Sequence, residues 1–326
     1  MSSVEDPKSS VKEPVGAGAA PSSAAGPAPS SAAGASTPPP APVRPGFAAR
    51  TWRTVRSSRP AVIGLAIVAV HVVVALLAPL LTPYHPTTGD ASHALLGPSA
   101  DHWAGTDQYG RDVLTRVLYG GRYALGVSVT ATLITIALGT VLGCAAALRG
   151  GWLDDVVMRV LDAVLSIPAI LVLLVIVTAL GTGSSVIVLA IAVVCVPQVV
   201  RVVRGAALGV VPQDYVTAAR ARGESTWAIL RREVLPNISD VVCVEFAMRA
   251  SWVVLLISSL SFLGFGADPP TPDWGLMVSE NRTAITVVPM ASLAPIIGLA
   301  TMVVGLNLAA DGLSKAWGVD RIREGV

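Results

Sequence analysis

Residues 184–203 read SSVIVLAIAVVCVPQVVRVV, an apolar run long enough to cross a lipid bilayer. A transmembrane helix needs about 20 such residues, and lipid offers the backbone no hydrogen-bonding partner outside a helix. The composition agrees, because 53% of the 326 residues are hydrophobic and only 13% are charged. A soluble domain carries about twice that share of charge. The chain is therefore predicted to be an all-α integral membrane protein.

Five more apolar runs of this kind lie along the chain. Together they predict six transmembrane helices, at residues 61–82, 123–148, 156–180, 184–203, 239–264 and 286–310. An even number of crossings leaves both ends of the chain on one side of the membrane. Five arginines crowd the start of the first run, at positions 44, 50, 53, 56 and 59. Since loops rich in arginine and lysine stay in the cytoplasm, both termini are predicted to be cytoplasmic.

A polar tail precedes the membrane domain of residues 46–326, and a polar loop lies within that domain. Residues 1–45 consist mostly of Pro, Ala, Ser and Gly, have almost nothing to bury, and are predicted to form a disordered tail. The loop at 83–122 faces outward in the predicted topology. It carries three arginines, Arg111, Arg116 and Arg122, whose charge is offset locally by three acids, Asp101, Asp107 and Asp112.

A basic segment follows the fourth apolar run, DYVTAARARGESTWAILRREVLPN at residues 214–237. Asp214 is placed as an N-cap, Gly223 breaks the first short helix, and Ser225 caps a second one. In the second helix, Trp227, Ile229, Leu230 and Val234 are predicted to face the membrane, Arg231 and Arg232 to face water, and Pro236 to end it. The residues alone leave two interpretations open, a helix-turn-helix that docks a partner and an amphipathic helix that only rests on the membrane.

Several features within the spans carry structural predictions. Gly139 and Gly143 form a GxxxG pattern on which another helix can pack closely. Pro168 and Pro197 are expected to kink their helices because each frees a backbone carbonyl. Glu245 and Arg249 are four residues apart and share one helix face, so the pair is predicted to point into the bundle rather than into lipid.

Other function classes are disfavoured by what the sequence lacks. It contains no GxxxxGK[ST] motif, and its only lysines are Lys8, Lys12 and Lys315, so it has no phosphate-binding P-loop of its own. The three cysteines have no metal-binding spacing. No nucleophile and base pair is apparent, and a net charge of +2 does not indicate a nucleic-acid partner. We expect a non-catalytic membrane subunit without a metal or cofactor of its own.

Four segments carry a resemblance to a known family. The order AAxxxG followed by VLPN resembles the EAA loop of the membrane subunits of ATP-binding-cassette importers. HWAGTDQYGRDVLTRVLYGGRYALGVS (102–128), LDAVLSIPAILVLL (161–174) and SFLGFGADPPTPDWGLMVSEN (261–281) resemble patterns of the branch that imports dipeptides, oligopeptides and nickel. The acidic residue that names the EAA loop is replaced here by Thr217. The matches run in the expected order from about residue 50 to 312.

This resemblance implies a type I importer permease of six helices in the bacterial inner membrane. Its coupling loop, about 205–237, would dock an ATPase subunit. The residues expected to couple are Tyr215, Thr217, Ala218, Ala219, Arg222, Gly223, Glu224 and Ser225. Those expected to line the translocation pathway are Asp162, Glu245 and Arg249.

The implied partners are a homologous second permease subunit, two P-loop ATPase subunits or domains that bind ATP and magnesium, an extracytoplasmic binding protein, and membrane lipid. Binding at the outer face would fall to the 83–122 loop and the turn at 266–275. A peptide is the expected cargo, with nickel or another small solute as the alternative. Two other classes stay open, a gradient-driven secondary transporter and a scaffold that transports nothing. Paired carboxylates at mid-membrane would favour the secondary transporter, whereas the ordered basic segment argues against a scaffold.

Overall fold

A computed structural model describes residues 58–317 of the protein, with side chains up to residue 315. The predicted tail at 1–45 lies outside these residues. Within the described range the regular secondary structure is helical. These residues form no strand, only an isolated β-bridge between Thr106 and Asp112.

Eleven α-helices follow one another in the described range. In chain order they are α1 (Arg59–Leu81), α2 (Val113–Arg149), α3 (Gly151–Leu165), α4 (Ala169–Leu180), α5 (Ser184–Val210), α6 (Asp214–Ala221), α7 (Thr226–Ile229), α8 (Leu235–Asn237), α9 (Ser239–Phe262), α10 (Trp274–Asn281) and α11 (Met290–Trp317). A π-helical turn, Leu230–Val234, joins α7 to α8, and short 3₁₀ turns lie at Ala91–His93 and Arg282–Ala284.

Five of these helices, α1, α2, α5, α9 and α11, are long and apolar enough to cross a membrane. They correspond to five of the six predicted spans. Helix α2 begins ten residues before the predicted start at 123, because Asp112 caps it and accepts a hydrogen bond from the backbone N–H of Thr115 at 2.8 Å.

The kink expected at Pro168 is confirmed, and it divides the predicted third span, 156–180, into two helices. Helices α3 and α4 meet at an angle of 86°. The break lies at Ser166–Pro168, where Pro168 cannot donate a backbone hydrogen bond and its ring disfavours a helical conformation in the residue before it. Pro197, by contrast, leaves α5 as one continuous helix.

The GxxxG pattern packs α2 against α5, as predicted. A Cβ added to Gly139 would lie 2.5 Å from the side chain of Val199, and one added to Gly143 would lie 2.9 Å from the carbonyl oxygen of Val200. The absence of side chains at these two positions therefore lets the helices approach closely. The end of α5 leads directly into the predicted coupling loop, so this contact fixes the loop's base.

Candidate functional site: the coupling loop and the polar groups of the spans

Helix α6, the first helix of the coupling loop, is held to the bundle by its own buried face. Val216 and Ala219 are fully buried and pack in one apolar cluster with residues of α2 and α5, among them Ala147, Val203 and Ala207. Ala219 is therefore small because its own chain surrounds it. The expectation that a partner surface approaches Ala219 does not fit this position.

The opposite face of α6 is exposed and built from short side chains. Asp214, Thr217, Ala218 and Ala221 all point away from the buried pair, because a turn of about 100° per residue places them on the other side of the helix. We call these four residues the outer face of α6. Tyr215 and Arg222 are also exposed, at its edge.

The turn after α6 forms much as the sequence indicates. Gly223 has φ +76°, a left-handed conformation in which a residue with a Cβ is strained, and no atom lies within 4 Å of where a Cβ would be. Ser225 caps α7 by accepting a hydrogen bond from the backbone N–H of Ala228 at 3.3 Å. The predicted cap at the first helix is one residue off: Gln213 occupies the N-cap, and Asp214 lies in the first turn.

Two arginines of the loop have defined partners. The Nη2 atom of Arg220 donates to the carbonyl oxygen of Leu148, near the end of α2, at 3.2 Å. Arg222 donates to the Glu224 carboxylate through Nε at 3.0 Å and Nη2 at 2.7 Å. Arg220 thus adds a polar tie to the apolar base of α6.

The second half of the loop faces the bundle, whereas the sequence pattern predicts that it faces the membrane. Ile229, Leu230 and Val234 are buried in the same cluster that holds Val216 and Ala219. Trp227 alone of the four predicted membrane-facing residues is widely exposed. Arg231 and Arg232 are exposed, as expected. The sequence pattern gave the correct apolar face, but an apolar face cannot reveal whether protein or lipid covers it.

The three predicted pathway residues fall into two polar groups that share α5. Arg249 and Glu245 of α9 form an ion pair at 2.8 Å, and Arg249 also donates to the side chain of Gln198. Glu245 is 1% exposed, so the pair points into the bundle as predicted. Asp162 of α3 forms an ion pair with Arg201, and both side chains are about half exposed.

A third pair joins α3 to α5. Arg204 donates through Nε to the Asp154 carboxylate at 2.6 Å, and Asp154 is buried. Gln198, Arg201 and Arg204 follow one another at three-residue spacing on α5, so they lie along one side of that helix. This spacing is visible in the sequence, but nothing in the sequence indicates their partners.

We call the 83–122 loop the outward loop after its predicted side of the membrane. It is organised around buried charges. Asp107 accepts from Arg111 Nε at 2.6 Å, and Glu280 accepts from Arg111 Nη2 at 2.7 Å and from Arg116 Nη2 at 3.2 Å. The predicted compensation by Asp107 is thus confirmed, whereas Asp112 pairs with His102 and caps α2. Glu280 was missed, because it lies far away in sequence.

Helix α10 completes this outer region. Asp273 caps it by accepting from the backbone N–H of Leu276 at 2.9 Å, and Trp274 Nε1 donates to the carbonyl oxygen of Val117 at 2.9 Å. Burial raises the pKa of Asp273 from its ordinary value of 3.8 to about 6. The 102–128 and 261–281 segments therefore form one packed unit.

Comparison with known proteins agrees with this arrangement. Residues 139–317 match the family described as the binding-protein-dependent transport system inner membrane component. The chain belongs to this family. Residues 46–98 also match the N-terminal transmembrane domain of oligopeptide transport permease C. The family covers the coupling loop, both polar groups of the spans and α10.

Individual relatives extend over most of the chain. The dipeptide transport system permease protein DppC of Alkalihalophilus pseudofirmus is 35% identical over 81% of this chain and 87% of its own length. The glutathione transport system permease proteins GsiD of Pectobacterium atrosepticum and Shigella dysenteriae are 35% and 36% identical, over 81% of this chain and 88% of their own length. The protein is therefore a multi-pass permease component of an ABC importer, and the expected resemblance is confirmed.

Proposed function

We propose that this permease imports short peptides as one of two homologous membrane subunits, driven by partner ATPases that dock on the outer face of α6. ATP and magnesium would be bound by those partners. An extracytoplasmic binding protein would deliver the peptide to the 83–122 loop and to the turn at 266–275. Both termini of the chain would then lie in the cytoplasm, on the coupling loop's side.

The construction of α6 carries this proposal. Its inner face is locked to α2 and α5 by Val216 and Ala219, while its outer face carries only short side chains. A force applied to that outer face would pass directly to α5, because the loop has a packed base rather than a flexible one. An amphipathic helix resting on lipid would instead expose large apolar side chains on its outer side.

The peptide assignment rests on the relatives, whose names specify dipeptide and glutathione transport. Both are short peptides with a free carboxylate and a free amine. The buried ion pair of Glu245 with Arg249 could meet such termini within the spans, and the half-exposed pair of Asp162 with Arg201 could meet them near the end of α5. Nickel is a weaker alternative, since the described residues contain no cluster of histidine, cysteine and carboxylate side chains suited to a metal ion.

The assignment is tested by reconstituting the full chain with its partner subunits and binding protein in lipid vesicles. ATP hydrolysis is then measured with dipeptides, glutathione or nickel added. We expect stimulation by a short peptide that is lost when its carboxylate is amidated. Stimulation by nickel alone would contradict the peptide assignment, and transport that continues without ATP but requires an ion gradient would contradict the ATPase coupling.

A further inference from the structure

Helix α3 differs from the long spans in how its surface is divided. Its inner side packs on the protein and includes the buried Asp154. The outward side is split lengthwise into two strips, one apolar and one charged. The apolar strip consists of Trp152, Val156 and Val160, and the charged strip consists of Asp155, Arg159 and Asp162. A helix turns by about 100° per residue. The apolar strip therefore lies on one side of the outermost edge of α3, and the charged strip lies on the other side.

The ion pairs with α5 fix the direction of α3. Asp154 and Asp162 are eight residues apart, which is about 12 Å along a helix, but their partners Arg204 and Arg201 are three residues apart, or about 4.5 Å. Helix α3 therefore advances much farther along its own axis than along α5. It crosses α5 at a steep angle.

The helix that follows leads to the same orientation. Helix α4 has 12 residues and turns away from α3 by 86°. At 1.5 Å per residue it is about 18 Å long, against a hydrocarbon core of about 30 Å, and its Leu173 and Val177 pack with α5 in one apolar cluster. Helix α5, with 27 residues, is long enough to span the hydrocarbon core. A helix steeply inclined to both lies close to the membrane plane.

The depth of α3 follows from the position of its partners on α5. Arg201 and Arg204 lie nine and six residues before Val210, the end of α5 that leads into the coupling loop. The apolar run of α5 that was identified from the sequence ends at residue 203, at the level of these arginines. Helix α3 is therefore at the boundary between hydrocarbon and water.

We infer that α3 lies in the lipid–water interface on the coupling loop's side of the membrane, with its apolar strip against acyl chains and its charged strip in water. Lipid is the occupant that fits both strips. The side chains of Trp152, Val156 and Val160 are 75%, 45% and 58% exposed, and tryptophan is favoured at membrane interfaces. The charged strip beside them could not be placed in hydrocarbon. Through Asp154 and Asp162, α3 then links the membrane surface to the end of α5.

Spin labels on neighbouring residues test this placement without any substrate or ATPase activity. The three cysteines of the chain, Cys144, Cys195 and Cys243, are replaced by alanine, and single cysteines are introduced into the full chain, which is purified with its partner subunits and reconstituted in lipid nanodiscs. The labelled positions form adjacent pairs on different strips, Asp155→Cys with Val156→Cys and Arg159→Cys with Val160→Cys. Collision of each nitroxide with oxygen and with a water-soluble nickel chelate is measured.

We expect oxygen to dominate at positions 156 and 160 and the nickel chelate to dominate at 155 and 159. Labels at Trp152→Cys and Val160→Cys should report nearly the same depth. A transmembrane α3 would instead separate them by about 12 Å. Val62→Cys and Val73→Cys on α1, which crosses the membrane, provide the control and should differ in depth. A depth gradient along α3, or protection of 156 and 160 from both reagents by another protein, would overturn the inference.

Discussion

Arg116 of α2 and Glu280 of α10, which are 164 positions apart in the chain, meet at 3.2 Å between Nη2 and Oε2. Arg116 is fully buried and Glu280 nearly so. The same guanidinium donates through Nη1 to the carbonyl oxygens of Pro86 at 3.0 Å and Pro270 at 3.1 Å. One side chain of α2 thus joins the outward loop to the segment before α10.

Replacing Arg116 by methionine should destabilise this region strongly. The change would leave the Glu280 and Asp107 carboxylates without one of their two arginine partners, and breaking a buried ion pair costs about 3–5 kcal/mol. We expect a lower midpoint of thermal unfolding for the purified protein in detergent. Arg122→Met is the matched control, because Arg122 lies on the same helix but is exposed. Equal unfolding midpoints for the two variants would contradict the stabilising role of the buried charges around Arg116.

Asp273 should make stability depend on pH. Its folded pKa is raised to about 6 by burial, so the folded state binds the proton more tightly than the unfolded state. Its contribution to the free energy of unfolding is favourable at low pH and is lost as pH rises through about 6. The total change is up to about 3 kcal/mol, at 1.36 kcal/mol per pKa unit.

Asp273→Asn should reduce this dependence. Asparagine stays neutral and can still cap α10. The variant should therefore unfold at a higher midpoint than the unaltered protein at pH 7.5, while the two converge near pH 4. Parallel midpoints across this range would show that Asp273 does not titrate as described.

Glu245 and Arg249 offer a test by exchange. Glu245→Ala alone should lower the amount of folded protein in the membrane, because it leaves Arg249 without its carboxylate partner. The double exchange, Glu245→Arg with Arg249→Glu, restores opposite charges, and the Gln198 amide can donate as well as accept. We expect it to recover membrane levels. Quantitative immunoblotting of membranes measures the effect, and no recovery would mean that more than the pair is disrupted.

Gly223 is required by its backbone conformation, not by crowding. With φ +76° and open space around it, a larger residue meets strain of about 1–2 kcal/mol but no clash. Gly223→Leu should weaken ATPase association, whereas Gly223→Asn should retain more of it, since asparagine tolerates this conformation. Co-purification of the ATPase with both variants measures the difference. If both variants lose ATPase association equally, the ATPase interface requires a residue without a side chain at position 223.

The sequence predicted the membrane class, five of the spans, and the turn at Gly223 with its Ser225 cap, because bilayer thickness and local backbone preferences act over short stretches. It predicted a kink at Pro168, but not that the bend there reaches 86° and divides this run into α3 and α4. A composition of 25 mostly apolar residues resembles a single span, and only the interaction of Asp154 and Asp162 with α5 reveals the crossing direction.

The prediction of the coupling residues from sequence was limited in a similar way. The sequence identified the segment but could not separate Ala218 from Ala219, since both are small and adjacent. The structure separates them, as Ala219 is buried by Val216, Val203 and their neighbours while Ala218 is exposed. Long-range partners such as Glu280 for Arg116 were also beyond a local pattern.

The difference between these two alanines gives the most direct test of ATPase docking on α6. Ala218→Glu places a longer, charged side chain on the outer face without disturbing the buried base, and Ala100→Glu in the outward loop is the matched control at another exposed alanine. Co-purification of the ATPase subunit is measured together with the amount of each variant in the membrane. We predict normal membrane levels for both variants, with ATPase association lost for Ala218→Glu and kept for Ala100→Glu. Full ATPase association with Ala218→Glu would contradict docking at this face.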